Sequence, residues 1–81
     1  MQIKTHEELW SHRAASVLVG RTIMSVRYLT AEERDELGWY NASLVLLLDD
    51  GNYFYPSADD EGNNAGALFT SFKDLETIPV I

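Results

Sequence analysis

The amino-acid sequence predicts an α+β fold in which an N-terminal helix packs on a small, curved antiparallel sheet. Three stretches carry that prediction. Leu9, Trp10, Ala14, Val17 and Leu18 recur at helical intervals, which aligns them on one apolar stripe. Met24, Val26 and Tyr28 alternate with Ser25, Arg27 and Leu29, the period of a strand with one apolar face. Residues 44–48 are continuously apolar and lead through Asp50-Gly51 into an aromatic stretch. The specific form expected is a small SH3-like barrel of about three to five strands, with a short charged helix between the first two.

Each element has its own signals. Thr5 and Glu8 have capping-box spacing at the head of the first helix. Gly20 is a stop signal, although the helix has a second stopping point near Ala15 if residues 17–19 are already extended. Residues 22–29 form the first strand. Thr30 and Glu33 repeat the capping-box spacing, and Gly38 follows as a C-terminal glycine, which predicts a helix over residues 31–37. Its acids gather near its N-terminus, where the helix dipole favours them.

Residues 42–49 are the strongest strand. An unbroken apolar run implies burial on both faces and a central position. Asp50-Gly51 predicts a two-residue hairpin, because glycine accepts positive φ. Residues 52–55 return as a strand that should end at Pro56 or lie at an edge, since proline cannot donate to the ladder. A short strand is expected over residues 67–69. One helical turn is expected over residues 71–75 with Ser71 as its cap, and an extended tail over residues 79–81. The expected core is Leu9, Trp10, Val17, Leu18, Ile23, Val26, Leu44, Leu46, Leu48, Phe54, Leu68 and Phe69.

Composition sets limits on function. With 81 residues, there is room for one domain spanning 1–81, burying roughly 60% of its unfolded surface. No cysteine is present, which removes disulfides, thiolate metal sites and cysteine nucleophiles. Lys4, Glu7, Glu8 and Arg13 interrupt any signal-peptide hydrophobic region, and no apolar run could span a bilayer. The expected location is therefore cytoplasmic. The Asn41-Ala42-Ser43 glycosylation triplet is read as chance in that setting.

The net charge of −7 is unevenly placed. Residues 1–30 hold Lys4, Arg13, Arg21 and Arg27 against Glu7 and Glu8, a balance of +2. Residues 31–81 hold eleven acids against Arg34 and Lys73, a balance of −9. Such a surface repels phosphate backbones and anionic lipid, so neither nucleic acid nor membrane is expected as a partner.

One pattern extends over about half the chain: Gly38-Trp39, Leu46-x-Leu48-x-Asp50-Gly51, then Pro56-Ser57-x-Asp59-x-Glu61-Gly62-Asn63-x-x-Gly66. It resembles a family of small uncharacterised bacterial proteins. The resemblance implies a bacterial, single-domain protein and carries over no catalytic residue.

Two groups of residues are candidates for binding. Asp59, Asp60, Glu61 and Asn63, with Asn64, offer hard oxygen ligands in the loop 57–66. An EF-hand alignment with Gly62 sixth puts Ser57 first and Leu68 where the bidentate glutamate belongs, so it fails. A structural turn, with Asp and Asn bonded to nearby amides, is the expected role. Tyr53 and Tyr55 share one strand face while Phe54 points to the other. Either the tyrosines cover a sheet edge or they form a binding face of the kind interfaces favour.

Other constellations are incomplete. His6-Glu7 begins like a zinc-protease motif, but Trp10 stands where the second histidine belongs. His6 and His12 lie about 240° apart around a helix and cannot share an ion from one face. Gly62 to Gly66 lacks the lysine and hydroxyl of a phosphate loop. No nucleophile–base pair is selected by spacing, so no catalytic residue, metal ligand or cofactor is assigned. The function expected is a non-catalytic cytosolic protein-interaction module, its partner another protein or a second copy of itself. The alternative is a small enzyme or divalent-metal-dependent protein using the loop 57–66.

Overall fold

The computed structural model describes residues 5–57 and 65–81. Helix α1 (His6–Leu18) begins where the sequence places it. Thr5 is the N-cap, and its Oγ1 accepts the Glu8 N–H at 3.0 Å, satisfying a first-turn donor that has no partner within the helix. The helix passes Ala15 and runs to Leu18. The chain then turns extended at Val19, and Gly20 takes φ 82°.

Strand β1 (Ile23–Tyr28) leads into α2 (Ala31–Leu37). Here the capping box is complete: Thr30 Oγ1 accepts the Glu33 N–H at 3.2 Å, and Glu33 Oε1 accepts the Thr30 N–H at 2.8 Å. At the other end Gly38 sits at φ 75°. Its N–H donates to Asp35 O, and the Trp39 N–H donates to Arg34 O, both at 3.0 Å. This pair of bonds closes the helix as a Schellman motif, which needs a left-handed residue at Gly38. It also fixes where Trp39 leaves the helix.

The remaining strands are β2 (Leu44–Leu48), β3 (Tyr53–Pro56), β4 (Leu68–Thr70) and β5 (Thr77–Ile78). All pairings are antiparallel, and the five strands lie in the order β1-β2-β3-β4-β5. The sheet is open, with β1 and β5 as its two edges, so the strands do not close into the barrel form expected. The α+β architecture, with α2 between the first two strands, is as the sequence predicts.

Residues directly opposite each other share a face. Val26, Tyr28, Leu44, Leu46 and Phe54 therefore lie on one face, together with Leu48, Leu68, Thr70 and Ile78. Arg27, Val45, Leu47, Tyr53, Tyr55 and Phe69 lie on the other. On the first face Leu48, Phe72 and Leu75 are buried, and Trp10, Val17 and Leu18 of α1 pack against them with Phe54 and Ile78. On the second face Val45 is only 1% exposed. Strand β2 is thus buried on both faces as expected, but it stands second in the sheet, and β3 is central.

Several expectations are corrected. The β2–β3 connection is not a two-residue hairpin: Leu48 N–H bonds Asn52 O at 2.8 Å, leaving Asp49, Asp50 and Gly51 as a three-residue loop. Gly51 supplies the required left-handed residue at φ 85°. Pro56 ends β3, one of the two outcomes expected of it. Residues 71–75 form a turn, with the Leu75 N–H on Phe72 O at 3.1 Å, and no helix. Ser71 caps nothing there. Its Oγ instead accepts the Tyr53 N–H at 2.8 Å and donates to Asn52 Oδ1 at 3.0 Å. The last strand falls at Thr77–Ile78, before the tail. Leu9, Ile23 and Val26 are exposed rather than core. Leu29, Phe72 and Leu75 are buried and were not expected to be.

Candidate interaction surfaces

Two surfaces stand out, one on each side of the sheet. On the second face Trp39, delivered by the Schellman motif, stacks on Phe69 at a centroid distance of 6.2 Å and 25°. Tyr55 meets both rings edge-on, at 6.1 Å from Trp39 and 5.7 Å from Phe69. Tyr53 lies parallel to Tyr55 at 6.3 Å. These separations and angles are those aromatic quadrupoles favour. Tyr53 and Tyr55 do share a face, as the strand period requires. They stand on the central strand, however, so they cover the middle of the sheet and not its edge. Sequence spacing could not bring Trp39 and Phe69 to them, because those contacts are set by the β3–β4 register and the end of α2.

An ion pair joins β1 to α2 beside this cluster. Arg27 Nη1 reaches Glu33 Oε1 at 2.8 Å and Nη2 reaches Oε2 at 3.1 Å, a bidentate geometry. Glu33 is drawn down to about 2, first by the Arg27 hydrogen bond and then by the Thr30 N–H. Burial pushes the Tyr55 phenol up, with smaller contributions from Tyr53 and the Glu33 charge. Asp50 is held low, chiefly by the Asn52 N–H, with Arg21 nearby at 3.4 Å.

The second surface is β1 itself. Every residue of β1 is exposed, including Ile23 (53%), Met24 (64%), Val26 (55%) and Tyr28 (66%). The predicted alternation holds from Ser25 to Tyr28, yet α1 packs over Leu48, Phe72 and Leu75 and leaves the β1 end of that face bare. The pairing with β2 shifts by one residue between Ile23 and Ser25, a bulge at Met24. The Leu29 N–H bonds Ser43 O at 2.9 Å, so Arg27 and Ser25 point their backbone groups at β2. Val26 and Tyr28 turn theirs away from the sheet. The Tyr28 carbonyl accepts Arg27 Nη1 at 3.1 Å, whereas nothing of this kind occupies Val26.

The remaining candidates divide differently. Asp59, Asp60, Glu61 and Asn63 lie outside the described residues, as does the turn expected at Gly62. Among the described residues no three His, Asp or Glu side chains converge on a common point. His6 and His12 are both exposed on α1. His6 faces Trp10 at 6.3 Å and Arg13 lies over the Trp10 ring at 4.6 Å, which makes that end of α1 a stacked surface feature. No described helix is long and apolar enough to cross a membrane.

The fold and these surfaces define an open antiparallel meander whose β1 edge carries exposed apolar side chains. Comparison with known proteins finds no matching family model, no matching curated protein and no matching solved structure.

Proposed function

We propose that this chain is a non-catalytic protein-interaction module that receives an extended strand along β1. One observation carries the reading: β1 is a six-residue sheet edge with four exposed apolar side chains and outward backbone groups at Val26. Water solvates such an edge poorly on its apolar face, and an added strand satisfies the backbone while covering side chains. Among the described residues no three His, Asp or Glu side chains come together as a candidate metal or acid–base site; the loop of the alternative reading lies outside them. The sequence resemblance, which carries no activity, agrees with either.

A photo-reactive amino acid placed at Met24 in cells producing the protein tests this. Adducts should form at Met24, far exceed those from the same group at Glu36 on α2, and fall when Val26→Lys is added. Equal yields from Met24 and Glu36, or yields indifferent to Val26→Lys, would remove the edge as the docking surface.

A further inference from the structure

We draw no further inference here: the strongest candidate, the aromatic patch of Trp39, Tyr53, Tyr55 and Phe69 on the second face of the sheet, consists of rings that pack on one another, and nothing in the structure shows what covers it.

Discussion

Truncating Leu48 to alanine should remove a large part of the stability of this fold. Leu48 is 4% exposed and packs with Phe72 and Leu75 where α1 meets the sheet, through Trp10, Val17 and Leu18. Leucine-to-alanine changes in cores cost roughly 2–5 kcal/mol, depending on how far the site collapses. Most of the neighbours here are half-buried, so the pocket relaxes toward solvent and the loss belongs in the lower part of that range, about 3 kcal/mol. A chain of this length has about 4–12 kcal/mol in total. The midpoint of thermal unfolding should fall by roughly 12–24 °C. Urea unfolding followed by tryptophan fluorescence reads the change directly. The midpoint should drop with the slope preserved. A loss below about 1 kcal/mol would show that α1 does not depend on this cluster, and the account of the core would be wrong.

Glu33 should titrate with a midpoint near 2 by carboxyl carbon NMR. Because its folded value lies below its unfolded one, its contribution to stability is present above about 4.5 and is lost as pH falls toward 2. Glu33→Gln should flatten stability over that window, and an ordinary midpoint near 4.3 would refute the Arg27 and Thr30 contacts. Gly38→Ala meets no atom within 4 Å, so only its φ of 75° resists the change. The expected loss is about 1 kcal/mol, with Gly38→Asn losing less, and equal losses for both would contradict the left-handed cap. Ser71→Ala deprives the Tyr53 N–H of its acceptor at 2.8 Å and should cost about 1 kcal/mol. Faster hydrogen exchange at Tyr53 would accompany it, and unchanged exchange there would place the bond elsewhere.

Much of the local structure was legible without coordinates. Thr5, Thr30, Glu33 and Gly38 mark helix ends because caps are satisfied by residues three or four positions away, a distance sequence contains. The alternation through β1 and the run through β2 were likewise local facts. Errors at the β2–β3 loop and at Ser71 came from bonds whose partners lie across the sheet: the Asn52 carbonyl sets the loop length, and the Tyr53 amide claims the Ser71 hydroxyl.

The candidate surfaces divide the same way. Sequence period alone put Tyr53 and Tyr55 on one face and gave β1 its apolar side. Only the tertiary structure joined Trp39 and Phe69 to the tyrosines, through the β3–β4 register and the closing turn of α2. Only it decided which apolar residues are buried. A strand pattern states that a face is apolar but not what covers it. Here α1 lies over Leu48, and Phe72 and Leu75 fold in from the segment after β4, occupying the interior that the pattern had assigned to Ile23 and Val26. Burial depends on contacts between distant segments, and periodicity reports only on neighbours along the chain. The apolar side of β1 was therefore written in the sequence, and its exposure was settled by where the helix came to rest.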